Sequence, residues 1–141
     1  MRRVIGFLVA MGLALGADLA AVKAEPNLEK RAEKALVFAG EVLTAMRGEL
    51  DRNDVEKIQA QLKDFEAAVD LAVDSLKATG KNARRNPKHF KKTELRLREL
   101  LRRLETLRQD MSLDDRPVLD GVKAQVEKRI DELVEATLRG A

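Results

Sequence analysis

From Leu28 onward, apolar residues recur at alternating steps of three and four, the period of an amphipathic helix. The first stripe is Leu28, Ala32, Ala35, Ala39, Val42 and Met46, widened by Leu36 and Leu43, with Gly48 as its stop. The second runs Val55, Ile58, Leu62, Phe65, Val69, Ala72 and Leu76 without a miss. Asn53 and Glu56 stand before it at capping-box spacing, and Gly80 stands where a C-terminal cap belongs. Asn86-Pro87 opens a third stripe, Phe90, Leu97, Leu100, Leu104, Leu107 and Met111, with Asn as N-cap and Pro at the first helical position. The fourth is Leu119, Val122, Val126, Ile130, Leu133 and Thr137 or Leu138, with Asp114 or Asp115 as its cap, Pro117 in its first turn and Gly140 as its end. No strand-like alternation competes. The pattern predicts an all-α protein with helices over 28–47, 54–78, 87–111 and 115–138.

Long helices joined by short connections pack as antiparallel neighbours, so the expected architecture is an up-and-down four-helix bundle. Three helices exchanged between two chains is the alternative. Leu62, Phe65, Val69, Leu97, Leu104, Val126 and Ile130, each central on its stripe, are the expected core.

The first 24 residues break this pattern. Met1-Arg2-Arg3 is a positive start, Val4 to Ala17 is an unbroken apolar or small run, and Val22-Lys23-Ala24 offers small residues at the positions a signal peptidase reads. That is the plan of a secretory signal peptide, with cleavage expected after Ala24. Fourteen apolar residues fall short of the ~20 a membrane-spanning helix needs. Residues 25–141 then form one helical domain, exported to the bacterial periplasm or secreted, without stable membrane insertion after cleavage.

Composition narrows the chemistry. The chain has no Cys and one His, which removes disulfides, thiolate metal sites, covalent haem and lipoprotein anchoring. At 3% aromatic content it lacks a base-stacking surface, so nucleic acid is not an expected partner. Glu66, Asp70 and Asp74 fall on one helical ridge, but without Glu-x-x-His spacing they read as a solvated acidic face. Met46 and Met111 belong at one end of an up-and-down bundle and His89 at the other, so one haem iron cannot use both, as it does in exported b-type cytochromes. The Leu-Thr-x-x-Gln signature of small periplasmic helical chaperones is absent. No nucleophile elbow or phosphate-cradling Gly loop occurs. No enzymatic activity, metal or cofactor is expected.

Charge supplies the one unusual feature. The full chain carries +3 and its first 24 residues +2, so the remainder is close to neutral at +1. Yet residues 77–108 hold twelve cations against three anions, residues 25–76 seven against twelve, and residues 109–141 five against eight. Lys77 and Lys81 suit the C-terminus of the second helix, and Glu94–Arg98 and Glu99–Arg103 are favourable i,i+4 pairs. Arg84, Arg85, Lys88, Lys91 and Lys92 instead crowd the start of the third helix, against its dipole. Neutralisation could come from Glu25, Glu29 and Glu33 of the first helix and from Asp131, Glu132 and Glu135 of the fourth. The functional alternative is a weak anion-binding corner at 81–92 for phosphate, sulfate or a lipid headgroup. The expected role is an exported, non-enzymatic interaction or structural protein of the envelope. Its expected partner is an anionic envelope component or another helical chain, and self-association is open. A small-ligand or metal carrier of the four-helix type is the alternative.

Overall fold

The computed structural model describes residues 18–140. They are helical throughout, with no strand among them, and form five helical stretches rather than four. Residues 18–24 make α1, followed by α2 (Leu28–Asp51), α3 (Val55–Ala78), α4 (Lys88–Asp110) and α5 (Pro117–Arg139). Residues 1–17 of the expected leader fall outside the described residues. Its last seven residues do not: they are α1, and Val22 is only 7% exposed, within the core, with Leu19 packed beside it.

Helix boundaries differ from expectation where local chemistry was misassigned. Asn27 caps α2 by accepting from the Lys30 N–H at 3.0 Å. Gly48 does not stop that helix, which continues to Asp51 because Glu49 is buried and Leu50 packs on the core. Gly is tolerated inside a helix at about 1 kcal/mol relative to Ala, less than burying a large apolar side chain returns. The stop is Asn53, at φ 57°, since Asn enters the left-handed region more readily than other non-glycine residues. Asp54 therefore replaces Asn53 as the cap of α3, accepting from the Lys57 N–H at 3.2 Å.

Asn86 is likewise not the cap of α4; Pro87 holds that position and makes no side-chain hydrogen bond. The first intrahelical bond runs from the Lys91 N–H to the Pro87 carbonyl at 2.8 Å, while the Asn86 N–H donates to the Asn82 carbonyl at 2.8 Å within a turn whose Asn82 Oδ1 accepts from the Arg84 and Arg85 N–H groups. Neither Asp114 nor Asp115 caps α5: Arg116 holds that position, and Asp115 Oδ2 accepts from the Ser112 hydroxyl at 2.8 Å. Gly80 and Gly140 do end their helices in the left-handed conformation.

All seven expected core residues are buried. The cross-helix pairs set directions. Glu29–His89, Glu33–Lys92 and Arg47–Asp110 climb α2 and α4 together, so those two helices run the same way. Asp70–Arg129 and Lys77–Glu132 do the same for α3 and α5. Glu105–Lys123 and Arg108–Asp120 run in opposite senses along α4 and α5. The starts of α2 and α4 thus lie side by side, with the α3–α4 turn beside them.

Candidate functional site

Two parallel helix N-termini side by side present two positive dipole ends to one another. The side chains there answer that problem unequally. Glu29, in the first turn of α2, takes Lys81 Nζ on Oε1 at 2.9 Å and His89 Nε2 on Oε2 at 2.8 Å. One turn on, Glu33 takes Lys92 Nζ at 2.8 Å. Each carboxylate thereby sits near both dipole ends and a cation. The Lys81 hydrogen bond holds the Glu29 carboxyl below the usual range against the opposing cost of its desolvation, with help from His89 and Lys88. Lys92 does the same for Glu33.

Helix α4 itself contributes no anion in its first turn. It alone among the four long helices has neither a side-chain cap nor an acidic residue in its first turn. Of the five expected site residues, Lys92 is neutralised by Glu33, and Lys91 lies 4.0 Å from Glu94, its own neighbour on α4. Arg84, Arg85 and Lys88 are exposed and make no ion pair among the described residues. The corner therefore divides into an inner row bonded to α2 carboxylates, Lys81, His89 and Lys92, and an outer row in no direct ion pair, Arg84, Arg85 and Lys88.

Several expected partners are engaged elsewhere. Glu25 binds Lys34 at 2.8 Å, and Glu135 binds Arg139 at 3.0 Å. Glu132 is shared by Arg129 at 2.8 Å and Lys77 at 3.2 Å; its burial opposes ionisation, but these two cations prevail and its pKa is lowered. Asp131 makes no ion pair among the described residues. Arg98 pairs with Glu94 as expected, whereas Glu99 pairs with Arg96 and not with Arg103. Arg103 reaches α2, donating to the Gly40 carbonyl at 3.2 Å and the Thr44 hydroxyl at 3.1 Å.

The acidic ridge is not simply solvated. Arg129 lies across it, 3.0 Å from Asp70 and 3.1 Å from Asp74, while Gln125 donates to Asp70 and to the Glu66 carbonyl. No cluster of His, Asp or Glu able to hold a metal occurs among the described residues. Sequence reasoning missed Arg129. The available signal was its place one turn beyond Gln125, on a helix whose polar flank must face another helix.

Beside the corner lies an open groove of about 770 Å³, with Phe90, Leu133 and Ala136 as its apolar floor and Lys77, Lys81 and Arg139 on its rim. The outer cations Arg84, Arg85 and Lys88 do not line it. Met46 and Met111 share a small apolar pocket elsewhere, bounded also by Leu50 and Leu119. No helix among the described residues is long and apolar enough to cross a membrane. Compared with family models, curated proteins and solved structures, the chain matches none.

Proposed function

We propose that the protein is an exported, non-enzymatic helical interaction protein of the bacterial envelope, folded as an antiparallel up-and-down four-helix bundle. Its outer basic row, Arg84, Arg85 and Lys88, engages an anionic envelope component. The observation carrying this reading is the division of the corner. The same short stretch contains cations in direct ion pairs with carboxylates from α2 and cations in none, Lys88 reaching Glu29 and Glu33 only through its longer-range field. A fold that only needed neutral helix starts would gain nothing by adding three exposed cations against the α4 dipole. Exposed guanidinium and ammonium groups beside free helix N–H groups suit a phosphate-bearing surface.

The test is co-sedimentation with phosphatidylglycerol vesicles. The wild-type protein should sediment at low salt and release as ionic strength rises to ~0.15 M, where charges are screened beyond ~8 Å. Replacing Arg84, Arg85 and Lys88 together by Glu should abolish sedimentation while leaving the melting temperature equal or higher. Absence of wild-type binding, or a lowered melting temperature in the triple variant, overturns the proposal.

The carrier reading has one observation in its favour, the groove over Phe90, Leu133 and Ala136. A stoichiometric metal or chromophore in the purified protein, detected by elemental analysis or visible absorbance, would establish it.

A further inference from the structure

We infer that the leader is removed ahead of α1, at the Gly16–Ala17 bond, and that residues 18–24 stay in the mature protein as its first helix. This rests on the export reading and places the cut eight residues before the one expected from Val22-Lys23-Ala24.

The ground is what α1 does. Leu19 and Val22 stand three residues apart, one face of a helical turn, and both pack on the core. The rest of α1 is exposed. The joint to α2 is also built: the Glu25 N–H donates to the Val22 carbonyl at 3.1 Å, Arg31 Nε donates to the Glu25 carbonyl at 2.8 Å, and Lys34 holds the Glu25 carboxylate.

A cut after Ala24 would remove Leu19, Val22 and the Val22 carbonyl that accepts from the Glu25 N–H, while the Arg31 and Lys34 contacts of Glu25 would stay in the chain. Val22 would be the residue three before the cut, and its side chain is inside the core. The cut would strip Leu19 and Val22 from the surface they cover. It would also convert the Glu25 amide into an ammonium at the positive end of α2, next to Arg31 and Lys34.

The upstream bond leaves Leu19, Val22 and the joint between α1 and α2 in place. Ala14 and Gly16 place small residues at the third and first positions before it, and Val4–Leu13 remains as an apolar run of ten residues. A membrane-bound signal peptidase adds water across the Gly16–Ala17 amide. The C–N bond breaks, leaving a carboxylate on Gly16 and an amine on Ala17. The new ammonium lies one residue from Asp18, whose carboxylate suits the first turn of α1.

The test is intact mass and N-terminal sequencing of the full chain, expressed with its own leader in a bacterium that has a periplasm. The released protein should begin at Ala17 or Asp18. Ala24→Tyr, at an exposed position, should leave that start unchanged, whereas Gly16→Tyr with Ala17→Tyr should accumulate precursor. Released Val22→Asp protein should melt at a lower temperature than wild type. A start at Glu25, or processing blocked by Ala24→Tyr, overturns the inference and leaves the export reading standing. Membrane-bound protein that still begins at Met1 overturns both.

Discussion

The two ends of the molecule are closed by different physics. Where α2 turns into α3 and α4 into α5, Met46, Leu50, Ile58, Leu107, Met111 and Leu119 meet around a residual cavity of about 10 Å³, at the margin of holding one water. The Arg47–Asp110 pair at that end is solvent-exposed and adds little. At the opposite end two positive helix starts come together and are held by carboxylates. The four carboxyls whose pKa is lowered, Glu25, Glu29, Glu33 and Glu132, all lie there. Apolar closure is indifferent to pH and is not weakened by charge screening, whereas ionic closure is sensitive to both. The end bearing the candidate site is therefore the one that solution conditions can loosen.

The largest expected effect comes from breaking the apolar end. Met46→Ala should cost ~2–5 kcal/mol in urea denaturation, as should Leu104→Ala midway along α4. Both side chains are 1% exposed and cannot be replaced by solvent without leaving a cavity. A loss below ~0.5 kcal/mol, within the range of ordinary surface substitutions, would mean that this end is not packed as described.

Acid should act on the other end. A carboxyl whose folded pKa lies below its unfolded value of 4.5 contributes its full stability above about that pH. The contribution is lost as pH falls through the lowered folded value. Melting temperature should therefore decline as pH drops below 4.5. Glu29→Gln combined with Glu33→Gln should flatten that decline, and Met46→Ala should lower the whole curve without changing its slope. Equal slopes in wild type and the double Gln variant would show that the helix starts are not held by these acids.

A smaller effect sharpens the boundary between the two regions. Gly48 lies within α2, and a Cβ there would meet no atom within 4 Å. Gly48→Ala should raise stability by ~0.4–1 kcal/mol, chiefly by restricting the unfolded chain. Destabilisation on thermal melting would return the end of α2 to Gly48.

What was legible in the sequence follows the range of the interaction involved. The period of Val55 to Leu76 is a property of one segment, and it located α3 and its buried face without reference to any neighbour. Caps were less secure because Asn53 and Asp54, or Asn86 and Pro87, differ by one peptide unit. The choice between them rests on backbone conformation, such as the left-handed φ of 57° at Asn53, which the residue type alone does not decide. Charge partners were least legible. Whether Arg103 meets Glu99 or Thr44, and whether Arg129 covers Asp70, depends on which helices are adjacent and in what register. Of the five basic-corner residues, none could be sorted into paired or unpaired until Glu29 and Glu33 were placed alongside. Leu19 and Val22 were hidden differently. Two apolar residues among small ones read equally well as the end of a leader or as one face of a short helix.

The smallest predicted effect tests that sorting directly. In a double-mutant cycle, Glu33→Gln with Lys92→Met should yield a coupling energy of ~0.2–1 kcal/mol, the range for exposed ion pairs. It should shrink in 1 M salt, where the screening length falls to ~3 Å. The same cycle with Arg85→Met in place of Lys92→Met should yield no coupling, because Arg85 is not among the partners of Glu33. The arms share one carboxylate and differ only in the cation, so contributions from helix propensity and lost side-chain packing cancel. Equal coupling in both arms would mean that Glu33 acts through the general field of the corner. The separation into an inner row bonded to α2 carboxylates and an outer row awaiting a partner would then have no energetic basis. Coupling confined to Lys92 would leave Arg85 as charge that Glu33 does not use.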